Sequence, residues 1–191
     1  MQETKRLFIG IPITQDLIVH FMSIKESAYI LNMDRALRWV KPENLHLTLI
    51  FLGDTSFSLI KPISEIMNLV CNQKVFELDY QKIGCFPNLT NPRVLWVGIY
   101  DPSNLQILYN RLIRGLNKIL ELKHARFSPH ITLARIPQYV KPEIIREINN
   151  LVIKNQSLKF GIQKVDKIVL FESQLGKNGP IYKIIHQSML K

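Results

Sequence analysis

The 191-residue chain lacks the segments that would place it in a membrane or an oxidising compartment. It has no run of about 18 or more uncharged apolar residues, which excludes a transmembrane helix. No signal-peptide pattern follows Met1, so we expect a cytoplasmic protein. The only cysteines, Cys71 and Cys85, form no Cys-x-x-Cys pair and lie in apolar segments. We therefore expect two reduced, partly buried thiols.

Patterns for metals and nucleotide cofactors are also missing. The sequence contains no His-x-His, His-Glu-x-x-His or paired-cysteine spacing, so a zinc site with three or four ligands is not expected. It contains no glycine-rich loop of the kind that binds the phosphates of ATP or NAD. We therefore expect a protein that acts without metal or cofactor.

Basic residues, in contrast, are abundant. The chain has 25 Lys and Arg against 15 Asp and Glu, which gives a formal net charge of +10. A small, strongly basic domain most often binds phosphate groups, in nucleic acid or nucleotides. A solvated basic surface without a ligand is the alternative. The basic residues are scattered along the chain, which argues against a disordered arm that binds nucleic acid.

The two halves of the sequence have the same predicted order of elements: a strand, a helix, a strand with a His-x-Thr motif, a second helix and a further strand. Corresponding residues are separated by similar offsets, as for His46 and His130 or Pro62 and Pro142. At the end of the second half, two further predicted strands form a hairpin around residues 176–179.

This order predicts one α+β domain over residues 1–191, with repeated halves of approximately 1–90 and 91–191. We expect two pseudo-symmetric lobes, each an antiparallel-rich sheet with two helices. The lobes should face each other across a central groove, which is the natural place for a ligand.

The most informative residues are two matching motifs, His46-Leu47-Thr48-Leu49 and His130-Ile131-Thr132-Leu133. Residues i and i+2 of a strand share a face, so each histidine should lie beside its threonine while the apolar residues point into the core. Random placement of five histidines among 191 residues predicts far fewer than one such match. Two half-buried structural histidines are therefore a poor alternative.

The chemistry of these residues narrows the function. Two imidazoles across a groove can supply one acid and one base near neutral pH. Two threonine hydroxyls can donate hydrogen bonds to the non-bridging oxygens of a phosphate between them. This combination suits cleavage of a phosphodiester without a metal and without a serine or cysteine nucleophile. A basic RNA-binding module without catalysis is the alternative from another class.

The residues around the motifs resemble those of the 2H phosphoesterases, and more closely the RNA 2′,3′-cyclic phosphodiesterases, also called 2′-5′ RNA ligases. The resemblance covers nearly the whole chain. The segments that carry it are Arg6-Leu7-Phe8, Asn44 to Leu49 with Phe51-Leu52-Gly53, Gly84-x-Phe86-Pro87, Pro92 to Trp96, Pro129 to Arg135, and Val169 to Ser173.

The resemblance implies hydrolysis of a terminal 2′,3′-cyclic phosphate on RNA to a 2′-phosphomonoester. The implied partners are RNA with such an end (tRNA fragments included) or nucleoside cyclic phosphates, with no membrane, and we expect a monomer. The reverse reaction, 2′-5′ RNA ligation, stays open. The implied site roles are proton donor for His46, proton acceptor for His130, phosphate binding for Thr48, Thr132 and Arg135, and base stacking for Phe51.

The roles of His46, His130, Arg135 and Phe51 are not decided by the residues alone. The near-symmetry of the motifs cannot say which histidine is the acid. Arg135 and Phe51 each lie five positions after their histidine, so a regular strand would point them away from it. To reach the groove they need a bulge or the end of a strand. Otherwise Arg135 is a surface arginine and Phe51 a core phenylalanine.

The other three histidines are expected to be structural or solvated. His20 lies within a predicted amphipathic helix, His124 in a basic loop, and His186 in the last predicted strand.

Overall fold

The computed structural model describes residues 3–30, 33–122, 127–177 and 179–191. Within these ranges the chain forms four α-helices: α1 (Gln15–Ile30), α2 (Ile60–Val70), α3 (Ser103–Leu116) and α4 (Pro142–Lys154). It also forms nine strands there: β1 (Thr4–Pro12), β2 (Arg38–Trp39), β3 (His46–Ser56), β4 (Phe76–Phe86), β5 (Val94–Ile99), β6 (Ile131–Arg135), β7 (Lys159–Val165), β8 (Lys167–Gly176) and β9 (Gly179–Met189).

The predicted elements all occur, and local sequence explains their positions. Phe76, Leu78 and Tyr80 alternate along β4 and are buried. Pro142 is the first residue of α4, where its missing N–H group has no helical partner to lose. Pro62 stands in the first turn of α2 for the same reason. The last two strands form the predicted hairpin; residue 178 of its turn lies outside the described residues.

All strand pairs of the described chain are antiparallel and belong to one sheet, in the order β7-β4-β5-β6-β3-β1-β8-β9, with β2 on β6. The sheet is narrowest in its middle, because the described residues of β3 and β6 pair at one position, Leu47 with Ile131. This narrow point separates two lobes. The predicted α+β class is confirmed.

Each lobe has four main strands and two helices. The first lobe contains β3, β1, β8 and β9, with α2 packed against β9 and α3 against β3. The second lobe contains β6, β5, β4 and β7, with α1 packed against β7 and α4 against β4. Both lobes therefore combine elements from both halves of the sequence. The repeat with halves of approximately 1–90 and 91–191 stays a prediction about the sequence, and the lobes in space do not coincide with those halves.

The apolar core lies on one face of the sheet, under the helices. In the second lobe, for example, Phe21 of α1 contacts the rings of Tyr80 and Phe160 with centroids 5.6 and 5.2 Å away. Leu47 and Ile131 are fully buried on this side. The neighbouring residues along the same strands are partly exposed. The opposite face of the sheet is therefore open where the two lobes meet.

Both cysteines are free, as predicted, and they are more fully buried than predicted. Burial raises the pKa of Cys71 and of Cys85 to about 12, so neither thiol ionises readily. Among the described helices, none combines the length and the apolar character needed to cross a membrane.

Candidate active site

The pairing of Leu47 with Ile131 brings the two motifs together. In an antiparallel register the flanking positions also face each other, so His46 lies opposite Thr132, and Thr48 opposite His130. All four side chains are on the open face of the sheet and are partly exposed. The result is a four-cornered site in which each imidazole has a hydroxyl from its own strand and another from the facing strand.

Both imidazoles are oriented in the same way. Nδ1 of His46 donates to the carbonyl oxygen of Asn44, and Nδ1 of His130 donates to the carbonyl oxygen of Ser128, each at 2.7 Å. A carbonyl oxygen only accepts, so Nδ1 keeps its proton in both rings. Nε2 is therefore the nitrogen that can take up or release a proton in each histidine.

Burial lowers the pKa of both histidines. For His46 the hydrogen bond to Asn44 opposes this effect, and repulsion from His130 adds to it. For His130 the hydrogen bond to Ser128 opposes it, and the positive charge of Arg135 adds to it. Without a ligand, both rings therefore stay neutral at a lower pH than an ordinary histidine does. An anion between them would favour protonation of one ring.

Aromatic side chains contact both imidazoles, and these contacts differ between the two histidines. The His46 ring lies 4.8 Å from Phe8 and 5.1 Å from Tyr182, between centroids. The rings of His130 and Phe86 form a T-shaped pair with centroids 4.9 Å apart. Among the described residues, His46 thus contacts several aromatic rings of the first lobe, whereas His130 contacts Phe86 of the second.

A bulge in β6 brings Arg135 to the open face. Between Thr132 and Ala134 the strand has one residue more than the facing stretch of β5. Leu133 and Ala134 are consequently both buried, and Arg135 is exposed. The bulge that the sequence required for Arg135 to share a face with His130 is therefore present.

The same bulge occurs in β3. Between Thr48 and Ile50 this strand has one residue more than the facing stretch of β1, so that Leu49 and Ile50 are both buried. Phe51 then emerges on the open face with 72% of its surface exposed. It is not a core phenylalanine. Phe51 and Arg135 occupy equivalent positions in the two motif strands.

Arg135 also influences the opposite lobe. Burial raises the pKa of Tyr182 on β9, and the positive charge of Arg135 opposes that rise. The same charge lowers the pKa of His130. Arg135 thus extends from β6 toward the groove between the lobes, close enough to act on groups on both sides.

Sequence reasoning did not assign roles to Tyr182, Phe8, Phe86 or Asn44. Asn44 has two functions, because its carbonyl oxygen orients His46 while its side-chain Nδ2 donates to the carbonyl oxygen of Pro180 at 2.8 Å. Asn44, Phe8 and Phe86 stand in segments that carry the family resemblance, which is a signal that could have identified them. Tyr182 stands in none of those segments, and no local pattern marks it.

Two of the remaining histidines, His20 and His186, have contacts elsewhere in the structure. His20 on α1 donates through Nδ1 to the carbonyl oxygen of Phe160 at 2.7 Å. Nε2 of His186 is 3.0 Å from Oδ1 of Asn68. His124 lies outside the described residues. Across the described ranges, no three histidine, cysteine or acidic side chains are grouped so that they could hold a metal ion.

Comparison with known proteins agrees with this geometry. A family model described as LigT like phosphoesterase matches residues 22–96 and 101–182. The RNA 2′,3′-cyclic phosphodiesterase of Aquifex aeolicus is 33% identical over 157 residues, which cover 80% of this chain and 81% of that protein. The protein of the same name from Archaeoglobus fulgidus is 35% identical over 144 residues, covering 75% and 78%. The crystal structure of E. coli LigT complexed with phosphate has a TM-score of 0.76 at 25% identity and covers 99% of both chains.

The fold and the paired His-x-Thr strands define a phosphoesterase of the two-histidine class. Because the family model matches most of its residues, the chain belongs to the LigT-like phosphoesterase family. The family predicted from the motifs and their flanking residues is confirmed, as is the prediction of a phosphoesterase enzyme.

Proposed function

We propose that this chain is a metal-independent RNA 2′,3′-cyclic phosphodiesterase that uses two histidines as acid and base. The observation that carries the proposal is the four-cornered arrangement of His46, Thr48, His130 and Thr132 on one open face. Both imidazoles keep Nδ1 bound to a carbonyl oxygen, which leaves Nε2 of each for proton transfer. The two rings together supply both proton transfers that hydrolysis needs.

In the proposed reaction a water molecule attacks the phosphorus of the cyclic phosphate. Nε2 of His130 accepts the proton of that water, and the bond from phosphorus to the 3′-oxygen breaks. The 3′-oxygen takes a proton from Nε2 of His46. The product is a 2′-phosphomonoester with a free 3′-hydroxyl, and the two rings return to their starting states by exchanging a proton with solvent.

We assign His130 as the base and His46 as the acid from the family resemblance. The pKa of both rings is lowered mainly by burial, with the charge of Arg135 adding to the shift of His130 and the charge of His130 adding to that of His46. An anionic phosphate between the rings favours the protonated form of one of them, which the mechanism requires.

The remaining residues bind the substrate. The hydroxyls of Thr48 and Thr132 would donate to the non-bridging phosphoryl oxygens, where negative charge increases during the reaction. Arg135 would add a charge-assisted hydrogen bond to the same group. Phe51, which is exposed at the equivalent position of the other strand, would stack on a base.

The net charge of +10 supports RNA as the substrate, since a positive surface attracts the phosphates of the chain beyond the reacting end. Fragments of tRNA and free nucleoside cyclic phosphates are included among the proposed substrates. We propose that the protein acts as a monomer in the cytoplasm.

The test is hydrolysis of an oligoribonucleotide with a 2′,3′-cyclic phosphate end in the presence of EDTA. We expect complete conversion to the 2′-phosphomonoester. When the reaction runs in ¹⁸O-labelled water, mass spectrometry should detect one ¹⁸O atom in the product phosphate. The matched control is the same oligonucleotide with a linear 3′-phosphate, which should not change.

Three results would contradict this proposal. Loss of activity in EDTA with recovery on added zinc would indicate a metal-bound nucleophile. Binding of the oligonucleotide without any turnover would indicate an RNA-binding module. If a second oligonucleotide with a free 5′-hydroxyl is added and the joined 2′-5′ product predominates, the chain is a ligase and hydrolysis is its side reaction.

A further inference from the structure

A cleft opens beside the four-cornered site where the two lobes separate. On one side of the Leu47–Ile131 pair, β2 fills the space next to β6 by pairing with Ala134 and Arg135. On the other side β3 continues without β6 as a neighbour, and the space has a volume of about 480 Å³. Ligand pockets have volumes of roughly 300–1,000 Å³, so the cleft is large enough for a nucleoside.

The cleft runs outward from the proposed catalytic residues. Thr48 and His130 line its inner end. Phe51, on β3, lines it on one side. Tyr109 and Phe127 line it as well, and their rings are stacked on each other at 4.2 Å between centroids with 5° between their planes. A flat aromatic ligand bound to the phosphate site would therefore find aromatic surface next to that site.

One acidic residue lines this mostly apolar cleft. Among the described residues around it, Glu121 is the single carboxylate. In a chain with a net charge of +10, an acid beside the substrate site is unexpected if the whole cleft bound phosphate. A carboxylate repels phosphate and accepts hydrogen bonds only. This part of the cleft therefore suits an uncharged group that presents N–H donors.

We propose that the cleft binds the nucleobase of the cyclic-phosphate nucleotide and that Glu121 selects bases by their N–H donors. This rests on the proposed function, since it takes the phosphate to lie between the histidines. Guanine presents two adjacent donors, N1–H and the N2 amino group, which a carboxylate can accept as a pair. Uracil presents one N–H between two carbonyl oxygens, which the carboxylate repels. The enzyme accordingly prefers guanosine and disfavours uridine at the reacting end.

The stacking residues give affinity with little selection. Every base has an aromatic face, so stacking on Phe51 or Phe127 stabilises all four bases, with modest differences between them. Selection must come from groups that contact the base edges. Glu121 is exposed, so we expect a preference of about fivefold to tenfold for guanosine over uridine, which is the low end for a paired hydrogen bond to a base.

The experiment compares the 2′,3′-cyclic phosphates of guanosine, adenosine, cytidine and uridine with the wild type and with Glu121→Gln. The wild-type ratio of kcat/KM for guanosine over uridine should be about five to ten, and the variant should reduce it to near one. Removing a negative charge raises the affinity for any anionic substrate, so the ratio between bases is the readout. Glu65→Gln on α2, an exposed acid outside this cleft, is the matched control and should leave the ratio unchanged.

Binding provides a second readout that needs no turnover. Titration calorimetry with guanosine and uridine 2′-monophosphates should show the same ratio of affinities and the same loss in Glu121→Gln. Equal ratios in the wild type and the variant, in both assays, would overturn this inference and leave the proposed function intact. If no cyclic phosphate is hydrolysed while the binding ratio changes as expected, the proposed function fails and the base site stands.

Discussion

The two motif strands share their backbone geometry and their His-x-Thr side chains and differ at one position on the open face. Each histidine donates to the carbonyl oxygen two residues before it at 2.7 Å, and each strand bulges just after its threonine. The bulge brings the fifth residue after the histidine to the open face in both strands. That residue is Phe51 in β3 and Arg135 in β6.

This difference separates the two tasks of the site. The first lobe presents exposed Phe51 and encloses His46 with Phe8 and Tyr182, which suits contact with the flat, uncharged part of a nucleotide. The second lobe presents Arg135, which suits contact with phosphate. A repeated backbone thus sets the geometry of the paired imidazoles and hydroxyls, and one unequal position in each strand removes the symmetry between the lobes.

The largest expected effect tests what the two strands share. We expect His46→Gln and His130→Gln each to reduce kcat/KM by about 10²–10⁴, because each removes one proton transfer. The assay is release of the 2′-phosphate from a cyclic-phosphate oligonucleotide. His20→Gln is the matched control, since its Nδ1 also donates to a carbonyl oxygen at 2.7 Å but lies on α1. Activity near that of the wild type in either groove variant would contradict the two-histidine mechanism.

The next effect concerns the hydroxyls. Thr48→Val and Thr132→Val keep the branched shape and remove one donor each, so kcat should fall about 10²-fold with a small change in KM. Steady-state kinetics with a nucleoside cyclic phosphate give both constants. Thr90→Val, whose hydroxyl donates to Asn88 away from the motifs, should be silent. A rise in KM alone would mean that the threonines bind the ground state and the transition state equally and do not accelerate the chemical step.

A third prediction tests the unequal positions. Arg135→Met should reduce kcat/KM about tenfold through loss of a charged hydrogen bond, whereas Phe51→Leu should raise KM and leave kcat near its wild-type value. Arg135 lowers the pKa of His130, so its removal raises that pKa. The acid limb of the kcat/KM profile should therefore move to higher pH in Arg135→Met and stay in place in Phe51→Leu. Equal shifts in both variants would show that Arg135 does not act on the base.

The same pKa shifts predict the shape of the wild-type profile. Burial lowers the pKa of His46 and of His130 below 6.5, so the acid limb should lie below pH 6.5 in the free enzyme. Because the two rings repel each other, the limbs report the pair as a whole. A pH-independent kcat/KM between pH 5 and pH 8 would contradict acid–base catalysis by these rings.

The smallest expected effect is on stability. The pKa of His46 and of His130 is lower in the folded chain than the ordinary value of 6.5, so protonation favours the unfolded chain. The stability that depends on their neutral forms is complete above pH 6.5 and is lost as the pH falls through the folded pKa values. Urea unfolding at pH 7 and pH 5 should show this decrease, and the double variant His46→Gln with His130→Gln should show less of it. Burial also lowers the pKa of His186, so part of the decrease in stability at pH 5 should remain in that variant.

Much of the fold was predictable because local patterns carry it. Alternation, helical spacing and helix-starting prolines predicted the elements, and the His-x-Thr pairs predicted which side chains share a face with each histidine. The burial of Leu47 and Ile131 follows from the same period of two. The motifs and the residues around them were sufficient to predict the family.

The positions of Arg135 and Phe51 depended on the tertiary structure. A bulge is set by the register with the neighbouring strand, β5 for β6 and β1 for β3, and a single strand sequence does not contain that register. Three other features likewise depend on contacts between residues far apart in the chain. Helix α1 packs on the second lobe and α3 on the first, each away from its own half of the sequence. Tyr182 approaches His46, and the cleft opens beyond the Leu47–Ile131 pair. The sequence by itself determined which groups can do the chemistry, and the packing of distant strands decided which of them face one another.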